Sequence, residues 1–206
     1  MRVRRWVALG DSFTAGTDPG APRWADDLAD GLRRTYPGCS CENLAIAGAT
    51  AQEVAAEQLE PAIALRPDLV SVVCGANDVL LSVRPDIPAV ATALSGILAR
   101  LRAELPGAAI VTATYPDVTR FYPLRPRSRL RVARGIQRLN AEIRALAQRQ
   151  GTVCLDFAAH PEQGVRANFA EDGFHPSGDG HRKAALAFAA GLRHHLGLDL
   201  DLEEAA

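Results

Sequence analysis

Val7-Ala8-Leu9-Gly10-Asp11-Ser12-Phe13-Thr14-Ala15-Gly16 is the stretch from which the rest of this chain is read. A short apolar run stops abruptly at Gly-Asp-Ser. A buried strand that ends this way delivers a small hydroxyl nucleophile to the edge of a sheet. Gly10 lets the backbone turn there without a Cβ clash. Ser12 then stands where a following turn or helix start can aim backbone N–H groups at a developing anion. The pattern is not the Gly-x-Ser-x-Gly elbow, because Thr14 stands where that motif has its second glycine. A serine that only caps a helix would read the same way, so the other segments must decide.

Outward from this stretch, strand-like and helix-like runs alternate. Arg2–Leu9 reads as the first strand. Trp24, Leu28 and Leu32 recur every fourth residue, which predicts a helix over Trp24–Tyr36 that Pro37-Gly38 ends. A second strand is expected at Cys41–Ile46. A helix is expected at Glu53–Leu65, with Pro61 bending it or ending it early. Asp68–Cys74 is an apolar, β-branched run suited to a central parallel strand. Ile87–Leu105 reads as a helix stopped by Pro106-Gly107, and Ala108–Tyr115 as the fourth strand. Pro116–Ser128 is rich in Pro and Arg and reads as irregular. A long helix over Arg129–Gln150, a fifth strand at Thr152–Phe157 and a last helix from the Ser177 cap to about Leu196 complete the pattern. One domain is expected over residues 1–198, with an acidic tail frayed over 199–206.

Five strands alternating with helices imply an α/β fold: a doubly wound parallel sheet with helices on both faces. Such sheets bind ligands at the carboxyl ends of their strands. Ser12, Gly48, Asn77 and His175 all fall there, after the first, second, third and fifth strands.

Composition narrows the function classes. The chain has 206 residues, 48% hydrophobic and 23% charged, as in ordinary globular proteins. Its net charge of −1 favours neither nucleic acid nor an anionic membrane. No run approaches the length of a membrane span, and Met1–Trp6 lacks the apolar core of a signal peptide. A cytoplasmic location is therefore expected. Cys39, Cys41, Cys74 and Cys154 fit no zinc spacing, so no metal is expected, and with neither a P-loop nor a Gly-x-Gly-x-x-Gly pattern no cofactor is expected.

Four segments, Gly10-Asp11-Ser12, Gly48 within Asn43–Thr50, Gly75-Ala76-Asn77-Asp78 and Asp172-Gly173-Phe174-His175, resemble in order and spacing the blocks of the SGNH hydrolase superfamily, the GDSL esterases and lipases. Phe13 departs from the usual Leu. The resemblance implies a flavodoxin-like three-layer α/β/α fold and a serine ester hydrolase. Ser12 would be the nucleophile, with His175 as base and Asp172 as its orienting carboxylate. The N–H groups of Ser12 and Gly48 and the amide of Asn77 would form the oxyanion hole.

The chemistry can be argued from the residue types as well. Ester cleavage needs a nucleophile, a base and oxyanion donors. Asp172 lies three residues before His175, so one turn of chain can face both side chains the same way. Asp11 and Asp78 read as structural carboxylates. His160, His181, His194 and His195 read as solvated surface.

The expected partner is a small-molecule acyl ester. Transfer of the acyl group to another alcohol, or action as a thioesterase or carbohydrate deacetylase, would use the same intermediate. A phospho-receiver module is the competing non-enzyme reading. It needs a lysine after the fifth strand, but the chain's only lysine, Lys183, lies inside the last helix. Finally, Arg120, Arg125 and Arg127 alternate with Phe121, Tyr122 and Leu124 in the irregular segment. That pattern suits a flap in which the apolar residues cover an acyl group and the arginines meet an anionic leaving portion.

Overall fold

The computed structural model describes residues 2–17, 22–117 and 119–202. Five strands form an all-parallel sheet: β1 (Arg5–Gly10), β2 (Ser40–Asn43), β3 (Leu69–Val73), β4 (Ala109–Ala113) and β5 (Val153–Leu155). Their spatial order is β2-β1-β3-β4-β5. Every residue of β3 is buried, as its unbroken apolar pattern requires of a strand covered on both faces. β2 and β5 are the more exposed edges. The strand order reverses between β1 and β3, and in open α/β sheets such a reversal opens a crevice beyond the strands' carboxyl ends.

The helices are α1 (Ser12–Ala15), α2 (Trp24–Thr35), α3 (Ala51–Glu53), α4 (Leu59–Ala64), α5 (Ala76–Leu80), α6 (Ile87–Glu104), α7 (Pro126–Gln150) and α8 (Gly178–Leu196). α2 and α8 pack together on one side, and α6 packs with α4 and α7 on the other. Trp24 ties the first pair. It is fully buried, its ring stacks on Phe188 at 4.0 Å between centroids, and its indole N–H donates to the Phe13 carbonyl at 2.8 Å. Truncating such a buried aromatic residue typically costs about 3–5 kcal/mol.

Several boundaries differ from the expected ones, each for a local reason. β2 ends at Asn43, yet its backbone still pairs onward, with Leu44 N–H donating to Ala8 O and Ile46 N–H to Gly10 O. The second helical segment starts at Ala51, where Thr50 and Glu53 form a reciprocal capping box. Pro61 does not end it. A wide π turn over Val54–Gln58 comes first and relieves the clash between the proline ring and the carbonyl of Glu57. Pro126 opens α7 rather than keeping its first residues irregular, because proline is preset for a helix's first position. The tail expected to fray is docked through Leu202. Leu198 is buried, Asp201 N–H donates to Thr35 Oγ1, and the Arg34 side chain donates to Asp201 O. Residues 203–206 lie outside the described residues.

Candidate active site

β1 delivers Ser12 to the carboxyl edge of the sheet. A Cβ on Gly10 would collide with the Val73 carbonyl of the neighbouring strand, so only glycine allows this close approach. Gln58, on the π turn, holds the Gly10 peptide from both sides: its Oε1 accepts from Gly10 N–H at 2.8 Å and its Nε2 donates to Gly10 O at 2.9 Å. Asp11 caps α1 by accepting from Phe13 N–H at 3.0 Å. Ser12 is 8% exposed, enough for a small reactant to reach its hydroxyl.

The loop after β5 brings the base. Ala170 N–H donates to His175 O at 2.8 Å, and Ser177 N–H to Asn168 O at 3.0 Å, which closes the loop on itself before α8. Gly173 takes φ +72°, and a Cβ there would strike the Phe121 carbonyl. His175 Nε2 lies 3.0 Å from Ser12 Oγ, and its Nδ1 lies 2.6 Å from Asp172 Oδ2. The carboxylate can only accept, so Nδ1 carries the proton and Nε2 is left to accept from the serine hydroxyl. Burial pushes the Asp172 carboxyl up, but hydrogen bonds from the His175 ring and from the Phe174 and His175 backbone N–H groups outweigh it. The group sits below the ordinary aspartate value and stays ionised.

The first turn of α5, which carries Asn77 and Asp78, is tied to the loop that carries Gly48 and to the start of α3 by two hydrogen bonds. Asn77 Nδ2 donates to Ala49 O at 3.0 Å. Asp78 accepts from Ala51 N–H at 2.9 Å, a structural role as expected. Gly48 is exposed at φ +87°, and a Cβ there would touch nothing. Glycine is needed at that position for its backbone angle, not for lack of room. The structure thus brings Ser12, Asp172 and His175 into hydrogen-bonding sequence and ties Asn77 to the Gly48 loop.

A cleft open to solvent runs past Ser12, Asn77 and His175. Its walls are largely apolar and include Phe13, Phe157, Phe169 and Phe174. None of Arg120, Phe121, Tyr122, Leu124, Arg125 or Arg127 lines it among the described residues. Instead Phe121 and Tyr122 stand behind the wall, with Phe121 packed on Phe169 at 5.2 Å and Tyr122 on Phe174 at 5.7 Å. Arg120 lies over the Phe121 ring, and Leu124 packs against the core. Arg125 precedes α7 and Arg127 sits in its first turn, both exposed. The aromatic residues of the expected flap have found partners in the loop after β5, and those partners carry the wall.

Three further features were not foreseen. His181 is buried, not solvated: its Nδ1 accepts from Trp24 N–H at 3.3 Å and its ring stacks on Phe13. Burial depresses its pKa to about 4. His160, also expected in solvent, borders the cleft. The Gln58 clamp pairs residues 48 positions apart, which no local pattern announces. His181 stands four, seven and eleven residues before Ala185, Phe188 and Leu192, the buried face of α8, and that helical periodicity is the signal that could have placed it inward.

No three or more His, Cys, Asp or Glu side chains cluster to hold a metal among the described residues. Nor is any helix among them long and apolar enough to cross a membrane.

Solved structures share this architecture. One is an acetylxylan esterase from Geobacillus stearothermophilus, with TM-score 0.74 and 19% identity over 93% of this chain and 96% of that one. A second is TesA, with TM-score 0.73 and 23% identity over 92% and 98%. A third is LAE5, described as an α/β hydrolase from the metagenome of Lake Arreo, with TM-score 0.66 and 23% identity over 91% and 94%. A search of curated proteins finds no match. The model of the GDSL-like lipase/acylhydrolase family matches residues 8–183, a span that begins inside β1 and runs past His175 into α8. A match over that much of the chain, on this fold, places the protein in the GDSL-like lipase/acylhydrolase family of the SGNH hydrolase superfamily, whose members are carboxylic ester hydrolases.

Proposed function

We propose that the protein hydrolyses a small acyl ester through an acyl-enzyme on Ser12. The observation that carries this is the run from Ser12 Oγ to His175 Nε2 at 3.0 Å and from His175 Nδ1 to Asp172 at 2.6 Å. Ser12 Oγ attacks the ester carbonyl carbon while its proton passes to His175 Nε2. The carbonyl π electrons move onto oxygen, where the N–H groups of Ser12 and Gly48 and the Asn77 Nδ2–H not bonded to Ala49 receive them. Collapse expels the alcohol, which takes the proton from Nε2. Water, deprotonated by the same nitrogen, then releases the acid and restores the serine. Asp172 holds the tautomer and stabilises the transient imidazolium without itself taking a proton.

Phe121 and Tyr122 act in this reading as a second layer that fixes the aromatic wall. The four cysteines are free thiols, which fits a reducing, cytoplasmic setting. Labelling with a fluorophosphonate followed by peptide mass mapping tests the proposal. The label is expected on Ser12, and Ser12→Ala is expected to lose esterase activity. Labelling at another residue, or full activity in that variant, would overturn it.

A further inference from the structure

The cleft extends beyond the reacting atoms along one face of α8. Gly180, Lys183, Ala184 and Ala187 all line it. Spaced i, i+3, i+4 and i+7, they form one stripe that runs about 10 Å along the helix. Gly180 is small because the Asn168 carbonyl presses on it. The space farther along exists because positions 184 and 187 carry only methyl groups.

Aromatic rings that are themselves buttressed form the facing wall. Phe157 meets Phe13 edge-on at 6.2 Å and Phe188 at 5.4 Å, and Phe169 and Phe174 rest on Phe121 and Tyr122. A wall held from behind does not collapse to fill the space, so the space persists as a preformed slot. Lys183 does not make the slot anion-seeking, because Glu162 Oε2 lies 2.7 Å from its Nζ. An acetyl group on Ser12 would leave most of this apolar surface wet, whereas a longer chain would cover it.

We infer that the α8 slot binds an unbranched apolar chain of the ester, several carbons longer than acetyl, and that Ala184 and Ala187 set how much chain it accepts. The inference rests on Ser12 being the nucleophile.

Two series of esters test it. One varies the acyl group from acetate through butyrate and hexanoate to octanoate on a fixed nitrophenol. The other varies the alcohol over the same lengths on a fixed acetyl group. In wild type, kcat/KM is expected to climb with chain length in one series, and that series identifies which half of the ester occupies the slot. Ala187→Phe is expected to cut the long-to-short ratio of kcat/KM by about tenfold or more, and Ala184→Val to cut it less. Leu186→Ser, on an exposed position of the same helix, controls for general damage and is expected to leave the ratio in place.

Profiles that are flat or falling in both series would overturn the inference. So would an unchanged ratio in a folded Ala187→Phe protein, or an equal shift in the Leu186 variant. Failure of the slot is distinguishable from failure of the nucleophile: the first leaves a Ser12-dependent acetate hydrolase, and the second leaves acetate hydrolysis intact in Ser12→Ala.

Discussion

The Tyr115 hydroxyl donates to Asp11 Oδ2 across 3.3 Å, directly before the serine in sequence. Asn140 on α7 grips the Tyr115 backbone on both sides, accepting from its N–H and donating to its carbonyl at 2.8 Å each. The chain of contacts therefore runs from α7 through the end of β4 to the cap of α1. It anchors the turn that presents Ser12.

The burial of Asp11 sets a pH dependence. Burial dominates at Asp11 and raises its pKa from 3.8 to about 7, against the lowering effect of the Phe13 N–H and the Tyr115 hydroxyl. A carboxyl whose folded pKa lies above its unfolded value contributes most below the unfolded pKa. It loses that contribution as pH rises through the folded one. Asp11→Asn removes the charge and can keep the Phe13 N–H bond at its oxygen, while its Nδ2, which only donates, cannot accept from the Tyr115 hydroxyl. Its stability relative to wild type is expected to grow between about pH 4 and about pH 7, by an amount on the order of a few kcal/mol. Urea unfolding of both proteins across that range checks it, and parallel curves would exclude a titrating Asp11.

His181 predicts the opposite slope. Its Nδ1 accepts from Trp24 N–H and so must be unprotonated, and burial lowers its pKa to about 4. A histidine depressed in the folded state contributes stability above its unfolded pKa of about 6.5 and loses it as pH falls toward 4. In His181→Asn the side-chain oxygen can accept the same bond without titrating. The acid-induced drop in urea midpoint between about pH 6.5 and about pH 4 is expected to be smaller in that variant than in wild type.

Asn77→Ala is expected to lower kcat by about 10²–10³ with little change in KM, because an oxyanion donor acts on charge that develops only in the transition state. The substitution also frees Ala49 O, so the melting temperature belongs beside the kinetics. A raised KM with unchanged kcat would make Asn77 a binding residue.

The loop arginines are open to a direct comparison. Arginines that meet an anionic leaving group would, when Arg120, Arg125 and Arg127 are all changed to Ala, show a loss confined to anionic esters that fades as salt rises. Their placement over Phe121 and around the start of α7 leads us to expect an equal, salt-independent effect on paired neutral and anionic esters. A selective, screened loss would return them to the site.

The sequence by itself determined the alternation of strands and helices, and with it the edge of the sheet where Ser12, Gly48, Asn77 and His175 gather. Each of those residues sits beside a local signal: the end of an apolar run, a Gly turn, or the Ser177 cap that starts α8. Local backbone preference and periodicity are written in neighbouring residues, so they can be read without the fold. The Asp172–His175 pair was legible for the same reason, being three residues apart.

Only the tertiary structure decided what surrounds that edge. Tyr115 meets Asp11 from 104 positions away, and the partner of His181, Trp24, is 157 positions away. The flap residues Phe121 and Tyr122 became a backing layer because Phe169 and Phe174, from another loop, stood between them and the cleft. Burial, pKa and cavity shape are properties of such long-range packing. An apolar residue in the sequence does not state which neighbour will cover it, and a small residue such as Ala187 does not state that the space beside it will stay open.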